Sequence, residues 1–150
     1  MRKEAIKVAL VGSLYAALTI VLAPISYGPV QVRIAEALTV LPYIRRNYMW
    51  GLFGGCIVAN IYGGLGIWDI IGGSLFTLLA AFLTSIMPKP VLAPIPPIIV
   101  NAFGVSLYLH LIFKLPYWLT VAYIALGEGI ACMALGYPLL KWAIKRKDWF

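Results

Sequence analysis

The chain has 150 residues, 63% of them hydrophobic and 11% charged. Soluble domains carry about 45–50% apolar and about a quarter charged residues, so a sizeable water-soluble domain, a separate catalytic domain and intrinsic disorder are all excluded. Lys and Arg number 12 against 5 Asp and Glu, a formal net charge of +7, and the placement of these basic residues argues for membrane orientation and against nucleic-acid binding.

At about 20 residues per crossing, the apolar content fills five or six spans joined by short connections. The length argues for one folding unit, a single six-helix transmembrane domain over residues 1–150. The amino terminus is basic and then apolar from residue 8 to 23, longer than a signal-peptide core. It reads as a retained first helix over 5–23, ended by Pro24. A second helix starts near Gln31 and closes at Pro42, because proline and its predecessor disfavour continuation. It is short for a crossing and must be partial, tilted or sheltered by its neighbours. Helix three covers 48–62 and breaks at Gly63-Gly64-Leu65-Gly66. Helix four runs over 69–87, with Asp69 favoured at its start by the helix dipole. Residues 88–97 hold five prolines and read as a stiff, extended connection. Helix five covers 98–113, Lys114-Leu115-Pro116 turns the chain, and helix six covers 118–144 before a basic, aromatic tail.

Six crossings place both termini on one side. With the termini cytoplasmic, ten of the 12 basic residues, Lys147 included, lie inside, leaving Lys114 outside and Arg33 near the outer start of helix two. Trp50, Trp68, Trp118 and Trp142 fall near span ends, as interfacial aromatics do. Small residues recur every four positions: Ala5, Ala9, Ser13 and Ala17 on helix one, and Gly51, Gly55, Ala59 and Gly63 on helix three. Such stripes let backbones approach closely in lipid. On helix three the stripe reads as packing within the chain; on helix one it suits another subunit equally well.

Ionisable residues at membrane depth are expensive and mark function by default. Here they are Arg33, Glu36, Asp69, His110 and Glu128, with Asn60 and Asn101 as neutral companions. Arg33 and Glu36, three apart, share a helix face, either as a self-satisfied pair or as ligand contacts. Asp69 reads as an interfacial, N-cap-like residue, yet Asn60, Trp68 and Asp69 converge on one outer loop. His110 reads as interfacial, and Asn101 and Tyr108 share a face of helix five. Glu128 is the most informative: it sits mid-helix between Gly127 and Gly129, with no Lys or Arg within a turn. Two hydrogen bonds from a ligand would satisfy its carboxylate; the plainer alternative is a bond to Asn101 or Arg33 on a neighbouring helix. Cys56 and Cys132 read as small packing residues. No phosphate-binding loop, HExxH or GxSxG motif is present, so no catalytic residue, metal or cofactor is assigned. The expected site is a binding pocket open to the outside.

Residues 28–42, GPVQVRIAEALTVLP, with 63–70, GGLGIWDI, resemble the QueT family, queuosine-precursor transporters assigned to the substrate-binding S components of energy-coupling factor (ECF) transporters. The resemblance implies an all-α, six-helix S-component bundle in a prokaryotic plasma membrane. It also implies a transmembrane coupling subunit and two ATPase subunits as partners. Docking in such proteins uses an AxxxA motif on helix one, matched by Ala5 and Ala9 and continued by Ser13. The implied cargo is a 7-deazaguanine (preQ0, preQ1 or queuine). Glu128 would accept its two-donor edge, Asn101, Asn60 or Arg33 would donate to its carbonyl, and Trp68 or Tyr108 would stack on the ring. Glu36 or Asp69 would meet an ammonium. Two other readings stand beside this one: a small membrane enzyme with Asp69, Glu128 and His110 as acid–base groups, and a non-catalytic scaffold subunit.

Overall fold

A computed structural model describes residues 2–27 and 32–146. Gln31, the expected start of helix two, lies outside the described residues, as do Gly28, Pro29, Val30 and Lys147. The described residues form helices and turns without a strand. Three helices are long and apolar enough to cross a membrane: Arg2–Val21, Pro90–Phe113 and Tyr117–Lys145; Ile34–Tyr43 and Asp69–Ser85 are shorter apolar helices. In chain order the elements are α1 (Arg2–Val21), α2 (Ala23–Ser26), a 3₁₀ helix (Ile34–Tyr43), α3 (Tyr48–Gly63), a π-helical turn (Asp69–Gly73), α4 (Ser74–Ser85), a 3₁₀ turn (Pro90–Leu92), α5 (Ile95–Phe113), α6 (Tyr117–Gly129), a second π segment (Ile130–Gly136) and α7 (Tyr137–Lys145).

The expected helix two corresponds to the 3₁₀ helix, a shorter apolar helix sheltered by its neighbours. A 3₁₀ helix rises about 2.0 Å per residue against about 1.5 Å in an α-helix, so its span reaches further than the same sequence would as α-helix. Every residue from Ala35 to Pro42 is buried, packed by α1, α3, α4, α7 and the second π segment. The backbone therefore never meets lipid, the condition under which non-α structure survives at membrane depth.

The proline-rich connection differs from expectation. Residues 90–92 form a turn, and α5 already begins at Ile95 with Pro96 in its first turn. Proline is tolerated there because first-turn N–H groups lack intrahelical partners anyway. The expected helix six is continuous but wound in two ways. Thr120, Ile124, Glu128, Cys132, Gly136 and Leu140, each four apart, are all buried. In a pure α-helix a stripe of period four drifts by roughly 40° per step. The i→i+5 winding of the π segment turns less per residue and brings the stripe back toward the core.

The α1–α3 pair packs backbone to backbone. A Cβ added to Gly55 would overlap the carbonyl oxygen of Gly12, and one added to Gly51 would overlap that of Val8. The helix-three stripe is thus packing within the chain. Substituting Gly55→Ala should lower stability by about 1–3 kcal/mol, because two backbones must separate, whereas Gly54→Ala, with nothing within 4 Å, should be neutral or slightly stabilising. Thermal unfolding of the detergent-solubilised protein compares the two. By contrast Ala5, Ala9, Ser13 and Ala17 are all exposed, so the helix-one stripe is left unused by the fold.

Candidate functional site

The polar side chains meet where the start of the 3₁₀ helix enters the bundle. Arg33, extended at the mouth of that helix, and Glu36 on its first turn face α3, the first π turn, α5 and α6. Arg33 is 6% exposed, and its Nη1 donates to Asn60 Oδ1 at 3.2 Å. Its Nη2 lies 3.9 Å from Asp69 Oδ1, and its guanidinium stands 5.3 Å from the centre of the Tyr27 ring. Asp69 accepts a short hydrogen bond from the Tyr108 hydroxyl. Glu36 accepts one from the Tyr15 hydroxyl of α1. On the far side, Asn101 Nδ2 donates to Glu128 Oε1 at 2.9 Å, and Cys132 Sγ lies 3.5 Å from Glu128 Oε2.

These groups surround a cavity of about 10 Å³ lined by Arg33, Glu36, Gly73, Thr77, Asn101, Val105, Ile124 and Glu128, room for about one water. Three of the lining residues carry buried polar atoms with no hydrogen-bond partner: Nε and Nη2 of Arg33, Oε2 of Glu36 and Oδ1 of Asn101. Each such orphan costs about 1–3 kcal/mol, more when charged. The small volume depends partly on Gly73, where a Cβ would come 2.9 Å from Asn60 Nδ2 and 3.3 Å from Asp69 Oδ1.

Four of the residues singled out from sequence, Arg33, Glu36, Asn101 and Glu128, line this one void. Asn60, Asp69 and Tyr108 form the adjoining buried layer. Asn60 is saturated: its Nδ2 donates to the Asp69 carbonyl at 2.8 Å and to Cys56 Sγ at 3.4 Å while its Oδ1 accepts from Arg33, so it acts by positioning its neighbours. Asp69 stands in the first turn of the π segment and is 1% exposed. The π winding of Asp69–Gly73 turns its side chain inward, onto Tyr108 and toward Arg33. Trp68 is 65% exposed and stays outside the cluster. His110 is exposed, with Nδ1 against the Leu115 carbonyl at 2.6 Å, so the acid–base trio of the enzyme reading is not assembled. The cavity is small and its lining side chains are buried, in contrast to the expected pocket open to the outside. Sequence reading missed Tyr15, Thr77, Cys132 and Ile124; Tyr15 gave a faint signal, a hydroxyl one turn from Gly12 on the inward face of α1.

A guanidinium and carboxylates gathered around an internal void among apolar helices are the costly kind of arrangement that marks a substrate or ion path in a membrane protein. The chain belongs to the QueT transporter family, whose profile matches residues 5–145; it is a transporter, not an enzyme. The Queuosine precursor transporter QueT of Lactococcus lactis subsp. cremoris (strain MG1363) is 27% identical over 161 aligned positions, covering 97% of this chain and 94% of that protein. No solved structure matches the chain.

Proposed function

We propose that this chain is the substrate-binding S component of an ECF-type importer and takes up a queuosine precursor: preQ0, preQ1 or queuine. The observation that carries the cargo reading is the set of partnerless atoms on Arg33, Glu36 and Asn101 around one cavity. A 7-deazaguanine complements them. Its pyrimidinone N–H and exocyclic amine are donors for Glu128 and Glu36, its carbonyl an acceptor for Arg33, and its ring a partner for Tyr108. Three buried carboxylates (Glu36, Asp69 and Glu128) face one buried guanidinium, so a cation on the cargo, such as the preQ1 ammonium, relieves the excess of acid. Ordinary ligand pockets measure about 300–1,000 Å³, so binding requires the cavity to expand.

The same reading takes the chain as one domain with six crossings and both termini cytoplasmic in the plasma membrane. The three long helices serve as full spans, and the 3₁₀ helix, α3 and α4 as shorter ones. Its partners are a transmembrane coupling subunit and two ATPase subunits. Support for the docking face comes from the groove of about 910 Å³ between α1 and α3, which includes Ala5, Ala9 and Ser13. Those side chains point away from the bundle and leave room for a partner helix at small-residue distance.

Calorimetry of the purified protein with preQ0, preQ1, queuine and guanine tests the cargo. Binding to a deazapurine in preference to guanine is the expected result, and absence of binding to every deazapurine removes the assignment. For docking, Ala9→Leu should abolish co-purification with the coupling subunit and leave cargo affinity unchanged. A complex that survives the substitution rejects helix one as the docking face.

A further inference from the structure

Beside the polar cavity lies a second, larger space toward the α5–α6 turn. It is a half-open groove of about 470 Å³ lined by mostly apolar side chains, among them Leu65, Leu109, Phe113 and Tyr123, the last two 47% and 39% exposed. Among the described residues, Ile124 is the one side chain that lines both spaces. The helices explain why. Along α6, Thr120 lines the apolar groove, Ile124 both, and Glu128 the polar cavity; along α5, Leu109 lines the groove while Val105 and Asn101 line the cavity. Residues four apart share a helix face, so the antiparallel α5–α6 pair presents one surface that changes from apolar to polar at Ile124. On the opposite wall Tyr27 lines the groove, and its ring carries the guanidinium of Arg33, which lines the cavity.

We propose that Ile124 divides a single two-part site and that its bulk determines which arms are accepted. The polar cavity takes the hydrogen-bonding edge of the cargo and the ammonium of its arm, beside the buried carboxylates. The neighbouring groove takes only the part of the arm beyond that amine, where Thr120 and Tyr27 offer hydroxyls. This rests on the cargo reading above. A 7-deazaguanine is built to match: its pyrimidinone edge carries the donors and acceptor, and its C7 arm projects from the other side of the bicycle. The groove volume lies within the range of ordinary ligand pockets, whereas the cavity alone does not. Ile124 is also a stiff divider. It is 2% exposed and packed among Ala102, Val105, Tyr108 and Leu109, and a β-branched residue in a helix has one strongly preferred rotamer. Its volume, more than its mobility, therefore acts as the filter.

The test measures affinities of the full chain in detergent for three ligands: 7-deazaguanine without an arm, the aminomethyl derivative, and the derivative whose amine bears a cyclopentenediol. Ile124→Ala should raise the affinity ratio of the largest-armed to the armless ligand by about tenfold, and Ile124→Phe should lower it by about tenfold, the scale of one methylene in an apolar pocket. The armless ligand reports whether each variant is folded. If a variant binds nothing, Ile124→Val carries the test, with a smaller shift in the Ala direction. Ratios unchanged while binding persists overturn the divider and leave the cargo reading standing. Failure of the unaltered chain to bind any of the three overturns both.

Discussion

Arg33→Met should destabilise the folded chain by about 3–5 kcal/mol, the scale observed when one partner of a buried ionic group is removed. Arg33 is the buried cation facing Asp69, Glu36 and Glu128, all of them at most 4% exposed. Methionine fills a similar volume but returns nothing to Asn60 Oδ1, which loses its donor at 3.2 Å, or to Asp69, which keeps only the Tyr108 hydroxyl on one oxygen. The cost should be partly recovered by pairing the change with Asp69→Asn, so that the double variant is more stable than Arg33→Met alone. Neighbouring charges couple in this non-additive way, and isolated packing defects do not. Chemical unfolding of the four members of the cycle in a fixed detergent measures it. A loss under 1 kcal/mol for Arg33→Met would show that the carboxylates do not depend on this guanidinium.

Much of the helix inventory was legible because hydropathy and proline placement are local signals. The first helix, the break at Gly63-Gly64-Leu65-Gly66 and the turn at Lys114-Leu115-Pro116 follow from apolar runs and from residues that cannot continue a helix. Gly64 takes positive φ at the end of α3 and Lys114 does so at the end of α5. Three of the four departures from α-winding were not legible. The 3₁₀ helix and both π segments are set by what packs around them: Glu36 must meet Tyr15, and Asp69 must meet Tyr108. No periodicity within those short stretches announces either requirement. The same distinction runs through the site. Intramembrane charge alone singled out Arg33, Glu36 and Glu128, because its cost does not depend on where the neighbours lie. Asp69 drew only an N-cap-like reading because nothing within GGLGIWDI announces that Tyr108 and Arg33 lie beside it. Ile124 was passed over because an apolar residue on an apolar helix carries no signal until the two spaces on either side of it are seen.

Glu128→Gln should separate binding from stability, moving them in different directions. The carboxylate is 4% exposed, with Asn101 Nδ2 on Oε1 and the Cys132 thiol near Oε2. A carboxylate is an acceptor at both oxygens, whereas the amide of glutamine replaces one acceptor by a donor. If the amide oxygen keeps the Asn101 bond, the new N–H₂ confronts the donors of a deazaguanine edge. If it turns the other way, two donors meet at Asn101. Either orientation removes a charge-assisted bond worth about 1.5–3 kcal/mol, so affinity for every armed and armless deazaguanine should fall by roughly 10- to 100-fold. Stability should hold or rise, because the substitution removes one of three carboxylates served by a single guanidinium. Calorimetry for the cargo and unfolding for the protein read the two effects separately. A variant that binds as tightly as the unaltered chain dismisses Glu128 as the acceptor, and one that loses binding and stability together assigns it to the fold.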